Sequence, residues 1–274
     1  MTAPAPLGPL EAAFLGLVEG LTEYLPVSST GHLILASTLL GRAEDPAVKS
    51  FEIVIQAGAI LAVLGLYRER VLAMLRGLAG RDPAGRRLLV NLVVGFVPAG
   101  ILGVLLHRAI KAYLFGPGPV AGALAVGGLA MIVLDGMRAR RLADGTGIEG
   151  LTWRGALVIG LAQCLAMWPG TSRSLVTILA GLAVGLTPAA AAEFSFLLAL
   201  PTLGGATFLD LVRDGATLFS GIGVGPFLVG IAVAFVSAAL AVRGFVAWLG
   251  RHGLVPFGVY RLLLAGAVFW ALLR

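Results

Sequence analysis

Residues 88–106 contain no charged side chain, and neither do residues 226–242. Runs of this length match the roughly 30 Å hydrocarbon core of a bilayer at about 1.5 Å per helical residue. A backbone in lipid must satisfy its own N–H and C=O groups, so such runs fold as helices. The remaining sequence agrees with this, since 58% of the 274 residues are hydrophobic and 12% are charged. Mean hydropathy is +0.97. This excludes a soluble domain and predicts an all-α integral membrane protein.

Six spans are expected, at residues 51–67, 88–106, 119–134, 188–209, 226–242 and 256–273. Pro98 predicts a kink in the second. The arginine-rich stretch 68–87 is read as a loop, and Arg138, Arg140 and Arg141 follow the third span. Both basic segments are assigned to the cytoplasm. The acidic links at Glu44-Asp45 and at 210–214 then fall outside, as do both termini. The net charge of +6 therefore reads as topology and not as nucleic-acid binding. A lone cysteine, Cys164, permits no intramolecular disulfide. The N-terminus lacks the basic region of a cleavable signal, so insertion is expected to rely on the first apolar segments.

Two segments do not fit the span pattern. Apolar runs at 9–24 and 30–41 flank a polar tip, and runs at 155–168 and on to about 186 flank a second. None is long enough to cross comfortably, so each pair predicts a re-entrant helical hairpin. A shift of 144 residues lays Glu19 on Gln163, Tyr24 on Trp168, Ser28 on Ser172 and Ile34-Leu35 on Ile178-Leu179. Three spans separate the hairpins, so the second copy is expected to be inverted. The reading is one polytopic domain over 1–274, with repeat halves near 9–136 and 155–274. Inverted repeats with broken helices place a polar site near the midplane, where the tips meet.

The first tip reads Glu19-Gly-Leu-Thr-Glu23-Tyr-Leu-Pro-Val-Ser-Ser-Thr-Gly-His32. Ionisable side chains in a membrane segment are costly and point to function. Glu19 and Glu23 are four apart and share a helix face. Such a pair is tolerable if it shares a proton, faces a cation or holds a divalent metal. Ser28, Ser29 and Thr30 stand at a helix start, where hydroxyls cap and free N–H groups bind phosphate. Ser29 becomes a nucleophile if a base lies near, and His32 is one turn on. The second tip reads Pro169-Gly-Thr-Ser-Arg-Ser174, with Thr177 one turn further. A cation at a helix N-terminus opposes the dipole, so Arg173 is expected to meet an anion there. This reading gives a phosphate site with a nucleophile, a base and a clamp. It leaves open whether the site cuts a phosphate group or transports it.

The two tips, with Leu175-Val-Thr177, resemble the signature motifs of the undecaprenyl-diphosphate phosphatase family, the bacitracin-resistance type. The resemblance extends over nearly the whole chain in length, motif spacing and span pattern. It implies six spans and two re-entrant hairpins in inverted repeats. It also implies hydrolysis of undecaprenyl diphosphate to the monophosphate and phosphate, which recycles the lipid carrier of cell-wall polymers and confers bacitracin resistance. The implied setting is the bacterial inner membrane, with the site open to the extracytoplasmic side. The implied cofactor is a divalent cation, Mg2+ or Ca2+, supported by Glu19 and Glu23. Catalysis would fall to Ser29, His32, Glu19, Glu23 and Arg173, with Ser29 or His32 as nucleophile. Ser28, Thr30, Ser172, Ser174 and Thr177 would be phosphate ligands, and Gln56 part of the wall. The partners are the lipid substrate and membrane lipids, not nucleic acid, and a homodimer is compatible. The competing function is a transporter or flippase of polyprenyl phosphate.

Overall fold

The computed structural model describes residues 6–114, 117–138 and 145–272. Regular structure there is helical, and one isolated β-bridge joins Thr146 to Leu186. In chain order the helices are α1 Pro9–Thr22, α2 Ser29–Leu39, α3 Pro46–Val54, α4 Gln56–Leu66, α5 Arg68–Leu78 and α6 Pro83–Tyr113. Then follow α7 Pro117–Arg138, α8 Trp153–Gln163, α9 Arg173–Ala183, α10 Pro188–Ile222, α11 Val224–Leu249 and α12 Val255–Leu272. Four stretches of the described residues are long and apolar enough to cross a membrane: Pro46–Leu66, Pro83–Leu106, Pro188–Arg213 and Val224–Leu249. Gly118–Leu134 and Val255–Trp270 are apolar but shorter. The chain is thus an all-helical, multi-pass membrane protein.

Each segment read as a hairpin contains two short helices. α1 and α8 begin at Pro9 and Trp153, and α2 and α9 run over Ser29–Leu39 and Arg173–Ala183. Each of these bounds is displaced by 144 residues, the shift at which the sequences match. The turns repeat as well. Ser28 and Ser172 have φ of 74° and 76°, and they are the non-glycine residues with positive φ among those described. A side chain in that region costs about 1–3 kcal/mol and persists only where the surroundings impose it.

Two segments depart from the sequence reading. The arginine-rich stretch expected as a loop contains helix α5. Val71, Met74, Leu75 and Leu78 recur at helical spacing; Met74 and Gly77 are buried, and Leu75 and Leu78 are exposed. The expected link at 210–214 lies within α10, which continues unbroken to Ile222. No proline follows Pro201 in this helix, so nothing forces a stop where the charges begin.

The described chain divides into two compact units interleaved along the sequence. The first comprises Met1–Tyr24, Ser29–Leu66 and Ala199–Arg243. Its core joins Leu15, Leu33, Phe51, Ile55, Leu218 and Ala234. The second comprises Leu25–Ser28, Tyr67–Leu198 and Gly244–Arg274. There α7 and α12 approach through Gly128 and Gly258. A Cβ on Gly128 would lie 2.8 Å from the Gly258 carbonyl oxygen, and one on Gly258 would lie 2.7 Å from that of Gly128. Small residues are what allow such close helix contact in lipid. Arg70 ion-pairs with Glu149, outside the spans, and with Glu193, in the first two turns of α10, each at 2.7 Å. A backbone N–H and the Arg70 guanidinium hold the Glu149 carboxyl below its ordinary range.

Gly258→Leu should therefore destabilise the protein by about 1–3 kcal/mol through overpacking. Gly266→Leu on the same helix, where a Cβ meets nothing within 4 Å, should be neutral. Thermal unfolding of the two variants in detergent checks this.

Candidate active site

In the first unit, α1 stops because Pro26 follows it: proline lacks the N–H and its ring clashes with a preceding helical turn. Glu19 and Glu23 occupy the last turn of α1 and its C-cap, one turn apart, and both are buried. Tyr24 is also fully buried, and its hydroxyl donates to the Ala59 carbonyl at 3.0 Å. Ser29 opens α2 and donates its Oγ–H to Glu23 Oε2 at 2.5 Å. This is a short hydrogen bond. It places a carboxylate in position to take the hydroxyl proton. Thr30 and His32 lie on the first turn of α2, each half-buried. Gln56 begins α4 after the break at Ile55, and its buried Oε1 meets no hydrogen-bond donor among the described residues.

The second unit holds the other predicted residues. Ser172 caps α9 by accepting from the Leu175 N–H at 3.3 Å, and its Oγ lies 3.0 Å from that of Ser174. Ser174 in turn donates to the Leu25 carbonyl at 2.8 Å. Leu25–Ser28, the turn of the first hairpin, therefore sits against the start of α9 within this unit, and Ser28 is buried there. Arg173 Nη1 donates to the Ser195 carbonyl at 2.9 Å and reaches Ser195 Oγ at 3.4 Å. Thr177 Oγ1 donates to the Arg173 carbonyl at 2.8 Å and lies 2.7 Å from Ser195 Oγ.

The structure thus brings Glu23 to Ser29, Ser172 to Ser174, and Arg173 to Thr177 through Ser195. Two residues absent from the sequence reading take part. Ser195, fully buried on α10, orients Arg173 and Thr177. A lone serine in an apolar helix gives no signal of this. Arg261, fully buried on α12, donates to carbonyls of both hairpin turns, Pro26 at 3.3 Å and Gly170 at 2.8 Å. A charge inside an apolar run was the available signal.

Fold and site together define a polytopic helical membrane protein whose interrupted helices carry buried carboxylates, hydroxyls and guanidinium groups. Comparison with known proteins makes this specific. The chain matches the family model of bacitracin resistance protein BacA over residues 12–267, and it belongs to that family. It is 52% identical to the undecaprenyl-diphosphatase of Sorangium cellulosum over 95% of this chain and 85% of that protein. Identity to undecaprenyl-diphosphatase 2 of Rhodospirillum rubrum is 48%, over 92% of this chain and 91% of that protein. Identity to the undecaprenyl-diphosphatase of Nitrosomonas europaea is 47%, over 92% and 90% respectively.

Ser195→Ala removes one partner from Thr177 and one from Arg173. It should lower stability by about 1 kcal/mol, the net worth of a buried hydrogen bond, read as a lower melting temperature at unchanged expression.

Proposed function

We propose that this protein hydrolyses undecaprenyl diphosphate to undecaprenyl phosphate and inorganic phosphate, returning the lipid carrier to cell-wall synthesis and protecting against bacitracin. The observation that carries the reading is the 2.5 Å contact between Ser29 Oγ and Glu23 Oε2. A transporter of lipid phosphate needs a polar cradle but no hydroxyl held against a buried carboxylate. An enzyme that attacks phosphorus does.

In the proposed reaction the Ser29 oxygen attacks the terminal phosphorus and its proton passes to Glu23 Oε2. The bond from that phosphorus to the bridging oxygen breaks, and undecaprenyl phosphate departs with the electron pair. His32, one turn from Ser29, donates a proton to the leaving oxygen. Water then attacks the phosphoserine, releasing phosphate and restoring the hydroxyl. Arg173 binds the equatorial oxygens and stabilises the charge that spreads over them during transfer. Ser28, Thr30, Ser172, Ser174 and Thr177 serve as further phosphate ligands. Gln56 contributes to the wall with a buried acceptor oxygen.

The proposed reaction includes a divalent cation, Mg2+ or Ca2+. No group of three or more His, Cys, Asp or Glu side chains with metal-site spacing occurs among the described residues. Magnesium is commonly held by one or two carboxylates, with phosphate oxygens and waters completing the shell. Glu19 and Glu23, both buried and one turn apart, are the pair proposed to hold it. A bound Mg2+ or Ca2+ would neutralise diphosphate charge.

The site is proposed to face the extracytoplasmic side of the bacterial inner membrane, within six spans and two re-entrant hairpins. Loop charge supports this, because the arginines at 68–87 and 138–141 mark the cytoplasmic side. Glu44, highly exposed and paired with Lys49 at 2.9 Å, then lies outside. Glu44→Cys should react with an impermeant thiol reagent added to intact cells. Labelling only after membrane disruption would reverse the orientation.

Arg173→Ala tests the enzymatic reading. Phosphate release from a polyprenyl diphosphate by purified protein should fall about 10²–10³-fold, the usual loss on removing a donor to transition-state charge. Wild-type protein that is folded, supplied with magnesium and inactive would favour transport.

A further inference from the structure

Arg261 stands within an apolar helix and is fully buried. A guanidinium in such surroundings is costly unless every donor finds an acceptor. Here the acceptors are all main-chain carbonyls. Nη1 donates to Pro26 at 3.3 Å, Nη2 to Gly170 at 2.8 Å and to Ala123 at 3.1 Å, and Nε to Leu124 at 3.3 Å. No carboxylate hydrogen-bonds to it among the described residues.

The four carbonyls come from three places. Pro26 is in the turn of the first hairpin, Gly170 is in the turn of the second, and Ala123 and Leu124 are on α7. Both turns have left the helix, so their carbonyls lack intrahelical donors and need others. The surroundings are shaped for this group. Gly127 has no side chain where a Cβ would overlap Arg261 Nη2. Gly170, at φ +95°, lies so close to α7 that a Cβ would sit 2.6 Å from the Val120 carbonyl oxygen. Ser174 holds the neighbouring Leu25 carbonyl at 2.8 Å. A planar fork of five N–H groups can serve acceptors in three directions, whereas a lysine ammonium presents three donors from one atom.

We propose that Arg261 is a positioning residue that fastens the turns of both hairpins to one guanidinium. Through Pro26 it fixes the turn Leu25–Ser28. Through Gly170 it fixes the approach to Ser172 and Arg173. The effect on turnover rests on the phosphatase reading, but the fastening of the turns does not.

Two measurements on purified full-length protein separate these. The first is the kcat and KM of polyprenyl diphosphate hydrolysis for wild type, Arg261→Lys and Gly127→Ala. Gly127→Ala leaves Arg261 in place but crowds its guanidinium, so it reaches the same contact independently. Both variants should lose about 10²-fold in kcat, as expected for a displacement near 1 Å, with KM changed less than threefold. A role in folding alone would lower yield and melting temperature while the folded fraction turned over at the wild-type kcat. That result, or a folded Arg261→Lys variant within threefold of wild type, overturns the effect on turnover.

The second is hydrogen exchange of the backbone in the same variants, which needs no activity. Amides of 24–28 and of 170–172 should exchange about tenfold faster together in Arg261→Lys. Unchanged protection at either turn overturns the fastening. Inactive wild type whose Arg261→Lys variant loosens both turns would count against the phosphatase reading and for the fastening.

Discussion

A backbone that leaves the helix in apolar surroundings must find partners for its carbonyls, and the active site depends on how this chain does so. Pro26 and Gly170 lie in the turns that precede α2 and α9, and the buried Arg261 donates to both. Ser174 supplies the partner for Leu25. Water would serve these groups at a protein surface. In a membrane the cost of leaving them unpaired is several kcal/mol each, so the donors have to be built in. One of them, Ser174, adjoins Arg173 at the start of α9.

The broken helix is also what creates the Glu23–Ser29 contact. In a continuous helix, residues six apart lie about 9 Å apart along the axis and on different faces. Here the chain turns between them, and the carboxylate and hydroxyl meet at 2.5 Å. The turn requires a positive φ at Ser28, and the second hairpin repeats it at Ser172. The same geometry recurs at both ends of a 144-residue shift where Ser28 falls on Ser172, although the turn prolines are offset by one position. The two copies then diverge in side chains. The first carries acids and an imidazole, and the second carries the arginine.

Much of this was legible in the sequence because the signals were local. Pro26 and Pro169-Gly170 marked the turns, the polar residues stood out against apolar neighbours, and the repeat tied the two tips together. The motif residues carried the family resemblance, and family membership followed from the comparisons. What stayed hidden was non-local or masked. Ser195 lies 22 residues from the Arg173 it orients. Arg261 is 235 residues from Pro26, and an arginine near the start of a span resembles one that snorkels to the interface. Helix α5 was concealed by the charges Arg68, Glu69, Arg70 and Arg76 set among its apolar residues. The run of α10 through 210–214 was concealed by charges that suggested an end, although nothing there breaks a helix.

The central claim is that the Ser29 hydroxyl, held by Glu23, attacks the phosphate. The most direct test compares phosphate release from a polyprenyl diphosphate by wild type, Ser29→Ala and His32→Ala, each matched for folding by size exclusion. Ser29→Ala should lose about 10³-fold or more, the scale seen when a nucleophile is removed, and His32→Ala should keep measurable turnover. Ser29→Ala within tenfold of wild type, with His32→Ala inactive, would contradict the claim and assign the attack to the imidazole.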